Sequence, residues 1–160
     1  MIARVCLALA IVACGTDAVP FETPPQCTTD THWKFGDQGS DLMYPGATCN
    51  ECHSSHIDTP RFTIAGTVYA TGHEPDNCDG AAGAVVEIVD AKGTMLSLES
   101  NAAGNFMHSI VDETVVFPIS ARVILNNEVR AMTGRVADGD CNGCHTQFGS
   151  SGAPGRIVLP

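Results

Sequence analysis

Cys-x-x-Cys-His occurs twice, as Cys49-Asn50-Glu51-Cys52-His53 and Cys141-Asn142-Gly143-Cys144-His145, and each copy obliges the fold to present two thiols and an imidazole on one short turn. Thiols three positions apart reach the two vinyl groups of a porphyrin while the adjacent imidazole meets its iron, so the pattern reads as a c-type haem attachment site. Two covalently bound haem c groups are therefore expected, at Cys49 and Cys52 and at Cys141 and Cys144, with His53 and His145 as proximal axial ligands. The rival reading folds both Cys-x-x-Cys pairs into a four-thiolate zinc site. It leaves both histidines without a role.

Haem is attached to c-type proteins outside the cytoplasm, which requires an export signal. Arg4 supplies a minimal basic start, and the apolar run Val5 to Ala13 is too short to span a bilayer but suits a signal peptide. Residues 1–13 are read as that signal. The run ends in Ile11-Val12-Ala13-Cys14, which resembles a bacterial lipobox, so Cys14 is the expected lipidation site. The mature chain would then be anchored to a membrane without crossing it, on the periplasmic side of the outer membrane or at the cell surface. An ordinary secretory signal, with Cys14 left as a thiol, is the alternative.

Eight cysteines fit this division of labour. Cys6 leaves with the signal, Cys14 takes lipid and four take haem, so Cys27 and Cys78 remain as a disulfide in an oxidising compartment. Two unpaired buried thiols are the other possibility. From Cys14 onward the chain keeps seven basic and all eighteen acidic residues. That balance argues against nucleic acid as a partner and suits a redox protein with a basic docking surface.

Residues 14–30, with Thr23-Pro24-Pro25, read as a tether, 31–60 as the first haem-binding segment and 133–160 as the second. Between them, Phe62, Ile64, Gly66 and Val68 alternate with Thr63, Ala65, Thr67 and Tyr69, the period of a strand. Further strands are expected near 84–90, 94–99, 105–111, 115–125 and 128–132, separated by Gly and Asn turns such as Asn126-Asn127. The expected fold is mainly β: a small antiparallel β-sandwich over 61–132, flanked by two short irregular or helical haem-binding segments.

The runs Ala65-Gly66-Thr67-Val68-Tyr69, Gly83 to Gly93 and Asn101-Ala102-Ala103-Gly104-Asn105-Phe106 resemble the carboxypeptidase regulatory-like domain, a transthyretin-like β-sandwich. That resemblance implies a scaffold and no particular chemistry. With the flanking motifs, the whole resembles an exported dihaem cytochrome lipoprotein, which implies electron transfer rather than enzymatic turnover. A surface-binding or adhesion sandwich with zinc or disulfides at the Cys motifs is the competing class. A haem sensor or peroxidase with an open iron position is a third.

Six alternating strand passes would return the chain to the end where it entered and bring both motifs together. Met43, six residues before Cys49, and Met132, nine before Cys141, are the candidate distal ligands; His56 and His73 are the alternatives. The strand count places the His73 loop at the far end from the motifs. His108, in phase with Phe106 and Ile110, reads as a satisfied core histidine, and His32 as a surface residue. Arg61 and Arg156 could pair with haem propionates.

Overall fold

A computed structural model describes residues 27–28 and 39–160. The signal peptide, Cys14, most of the tether and His32 lie outside the described residues.

The chain runs α1 (Cys49–Ser55), β1 (Phe62–Tyr69), β2 (Val85–Val89), β3 (Met95–Glu99), β4 (Asn105–Ser109), β5 (Ser120–Leu125), β6 (Glu128–Ala131), α2 (Cys141–Cys144) and β7 (Ile157–Val158). Two sheets form, ordered β4-β1-β7 and β3-β2-β5-β6. Every strand pair is antiparallel except β1 with β7. This is the expected mainly β sandwich with two short helical motif segments.

Alternation builds the core. Ile64 and Val68 from β1, Val86 and Ile88 from β2, Phe106 from β4 and Val123 from β5 meet in one apolar cluster with Ile119. Each such aliphatic side chain contributes about 1.5 to 3 kcal/mol on burial. Asn126 and Asn127 both take positive φ, 52° and 68°, as the tight turn between β5 and β6 requires. The 115–125 run yields only the strand from Ser120, because Pro118 lacks an N–H and interrupts the ladder. Strand β6 is exposed along its whole length and carries Glu128 and Arg130, which suits an unpaired sheet edge.

Strand β1 is buried from Ile64 to Tyr69, so both its faces and both its edges are covered. One edge pairs with β4. The other is closed in sequence by the Gly139 carbonyl, which accepts from Ala65 N–H at 2.9 Å, by Asn142 Oδ1, which accepts from Thr67 N–H at 3.0 Å, and by β7 opposite Val68 and Tyr69. The 133–160 segment is thus woven into the sandwich. Its two-residue strand has no counterpart in the sequence reading.

Candidate haem-binding site

The first motif opens a seven-residue helix and the second is a single helical turn, which places the cysteines of each on one side with the histidine in the last turn of α1 and at the C-terminal cap of α2. The helices pack on the same strand, β1, and meet at their N-termini. Helix α1 has no side-chain cap of its own. Its orphan amides are satisfied from 90 residues away: Asp140 Oδ2 accepts from Asn50 N–H at 2.9 Å and Glu51 N–H at 3.2 Å. Asp140 sits at the cap position of α2, yet caps α1 instead. Asn142, 2 % exposed, completes the joint by donating to the Ala47 carbonyl at 2.8 Å and to Thr67 Oγ1 at 3.1 Å. The two motifs therefore lie together, as the strand count requires.

The same contact stands behind each motif histidine. His53 Nδ1 lies 2.6 Å from the Pro60 carbonyl, and His145 Nδ1 lies 2.8 Å from the Gly155 carbonyl. A carbonyl can only accept, so each Nδ1 carries the proton of that contact and each Nε2 is left available as an acceptor or ligand. His53 also packs against the Phe62 ring at 4.8 Å. Burial lowers the His145 pKa, opposed by the Gly155 hydrogen bond, and favours the neutral imidazole that a metal binds. Gly155 holds φ at 153°, and a Cβ there would press into the Gly72 carbonyl and approach His73 Nδ1 to 3.1 Å. Only glycine suits that position.

The thiols of Cys49 and Cys141 are pushed up to about 12, by burial first and then by the negative charge of Asp140. Among the described residues, the only cluster of three or more groups with metal-ligand spacing is Cys27, Asp76 and Cys78. No four-thiolate cluster is assembled among the described residues. Cys27 and Cys78 are joined in the expected disulfide, with Cα atoms 5.1 Å apart, and Asp76 braces it by accepting from Cys78 N–H and from Thr28 N–H and Oγ1. Cys49 and Cys141 are free thiols, whereas Cys144 is disulfide-bonded.

One cavity of about 310 Å³ reaches from the sandwich core to the second motif, where Cys141, Cys144 and His145 line it together with Met132. Gly66 lets the Phe106 ring and Cys141 pack closely on β1, since a Cβ on it would lie 2.6 Å from that ring and 2.9 Å from Cys141 Cβ. Arg122, Arg130, Arg135 and Arg156 reach the same cavity, half of the eight basic residues in the chain. Sequence reasoning singled out only Arg156. Its guanidinium is spoken for: it donates to the Glu74 carbonyl at 3.2 Å, contacts Asn77 Oδ1 and lies 4.6 Å over the Tyr69 ring. Arg61 is exposed, near the first motif in sequence.

The remaining histidines divide clearly. His56 is exposed, with Nδ1 3.0 Å from the Cys52 carbonyl, on the same helix end as its own motif. His73 is exposed, with Nδ1 2.8 Å from the Gln147 carbonyl, and stacks near Phe148. It therefore lies beside the second motif and not at the far end; the strand count misses the C-terminal segment, which returns along β1. His108 is buried as expected, but its Nδ1 has no partner. Met43 is half-buried and holds Asn105 through its carbonyl at 3.0 Å, before the first motif.

At the first motif two cysteines on one helix and an imidazole turned away from Pro60 through Nε2 fit a haem; at the second an apolar cavity lined by arginines and by Asp138 and Asp140 adjoins a motif whose Cys144 is disulfide-bonded. No helix among the described residues is long and apolar enough to cross a membrane. No family model, curated protein or solved structure matches the chain.

Proposed function

We propose that this chain is an exported, lipid-anchored dihaem c-type cytochrome that carries single electrons between redox partners. The observation that carries the reading is the repeated Nδ1-to-carbonyl contact behind His53 and His145. A disulfide pair has no use for two imidazoles held in this way, and a four-thiolate zinc site leaves both without a role. In this reading the haems supply the one-electron chemistry between Fe(III) and Fe(II). The chain supplies attachment through Cys49, Cys52, Cys141 and Cys144, ligation through His53 and His145, and placement of both sites on one strand. Cys14 carries the lipid, and the acidic surface meets a basic redox partner.

The test is purification from a host with c-type maturation machinery. Covalent haem that cycles reversibly between oxidation states, without binding carbon monoxide when reduced, is the expected result. Carbon monoxide binding would favour the sensor or peroxidase class, and absence of covalent haem would favour the surface-binding class.

A further inference from the structure

We propose that the corner beside the first motif, where Ile57, Ile110 and Val111 are exposed among Asp58, Asp112 and Glu113, is the docking surface for a redox protein whose own apolar patch is ringed by basic side chains. The inference rests on the haem reading of the first motif and deepens it by naming the face and the chemistry of the partner.

Six large apolar side chains are exposed among the described residues, and three of them belong to this corner: Ile57 at 94 %, Val111 at 85 % and Ile110 at 54 %. They come from two loops. Ile57 follows α1, in a turn that Thr59 Oγ1 closes by donating to the His56 carbonyl at 2.9 Å. Ile110 and Val111 follow β4, and Ile110 N–H donates to the Arg61 carbonyl at 3.1 Å, which ties the second loop to the end of the first. None of the three belongs to the apolar core cluster of the sandwich. Exposed aliphatic side chains gathered in this way and edged by polar groups mark an interaction surface.

Charge selects the partner. Asp58 adjoins Ile57, and Asp112 and Glu113 follow Val111; all three carboxylates are exposed, and Arg61 is the one cation among residues 56–61 and 110–114. An apolar centre with an acidic rim complements an apolar patch with lysines or arginines around it. The same carboxylates repel an anionic lipid surface, and a second copy of the chain would bring like charge against like.

The corner is also joined to the first motif. The Pro60 carbonyl lies 2.6 Å from His53 Nδ1, and the carbonyl of the next residue, Arg61, accepts from Ile110 N–H. Two hydrogen bonds and one residue of backbone connect the imidazole with the docking face.

The mature chain carrying its haem is mixed with mitochondrial cytochrome c, a basic electron carrier used as the probe, and the dissociation constant and electron-transfer rate are followed against ionic strength. Binding is expected to weaken as salt rises, because screening removes the attraction between opposite charges. Ile110→Ser/Val111→Ser should weaken it by about tenfold at every salt concentration, and Asp112→Asn/Glu113→Gln at low salt only. Met95→Ser, at an exposed apolar position on β3, changes neither quantity. Failure of the wild type to bind the probe at low salt, or unchanged binding in both double variants, overturns the proposal and leaves the cytochrome reading standing wherever haem is still attached at the first motif. Binding in detergent that disappears on phosphatidylcholine vesicles gives the corner to the lipid surface, and self-association in sedimentation that Ile110→Ser/Val111→Ser abolishes gives it to a second copy; each overturns the proposal. Absence of covalent haem from the wild type overturns the cytochrome reading and, with it, the redox role of this face.

Discussion

Asp140, the residue before the second motif, holds Asn50, the second residue of the first, through a 2.9 Å hydrogen bond from backbone amide to carboxylate. Two segments 90 residues apart are thereby fixed end to end, and the bond makes them one site. Its Oδ2 serves two amides, while Oδ1 is buried without a partner.

Removal of that carboxylate exposes the joint. Asp140→Ala leaves two helix amides unsatisfied and is expected to cost about 1 to 3 kcal/mol. Denaturant unfolding of protein produced without haem maturation, with wild type alongside, measures it.

Asp140→Asn should instead change the pH profile. Burial raises the Asp140 pKa to about 6 against the opposing amide hydrogen bonds from Glu51 and Asn50, whereas the unfolded chain releases this proton near about 3.9. Between those values the unfolded state binds fewer protons, so this group's contribution to stability falls as pH rises, by on the order of 2 to 3 kcal/mol in total. Subtracting the Asp140→Asn profile from the wild-type one between pH 3.5 and 7 is expected to show that fall. A flat or rising difference would show that the carboxyl is not held in its neutral form.

Asn142 has a different task from Asn50, its counterpart in the other motif. Asn142→Ala removes bonds to Thr67 N–H, Thr67 Oγ1 and the Ala47 carbonyl at a buried position, and a loss of about 2 to 4 kcal/mol is expected. Asn50→Ala, whose Oδ1 has no partner, should cost about 1 kcal/mol or less. Paired melting curves on the two variants check the contrast.

The Cys27 to Cys78 bridge spans 51 residues. In the chain-entropy treatment its loss through Cys27→Ser/Cys78→Ser costs about 4 kcal/mol. The shift in denaturation midpoint reports it, and mass spectrometry of alkylated, non-reduced wild type should find neither thiol modified.

Much of the sandwich was legible because period-two alternation and Gly or Asn turns are local signals: β1 begins and ends where the pattern does, and Asn126-Asn127 turns as its residue types demand. Strand β7 was not, since Ile157-Val158 is too short to show a period and exists only because β1 offers it an edge. His73 was misplaced for the same reason, as counting strands says nothing of a tail that returns. The motif thiols and histidines could be read from spacing. The Asp140 bridge and the arginine-lined cavity could not, because each joins residues distant in sequence through contacts with no local signature.

Haem stoichiometry is the most direct measurement. Intact-mass analysis of the chain matured in a c-type host should show two covalent haems per protein, with one lost in Cys49→Ser/Cys52→Ser and the other in Cys141→Ser/Cys144→Ser. A wild-type mass without haem, or one unchanged by either pair of substitutions, would contradict the account.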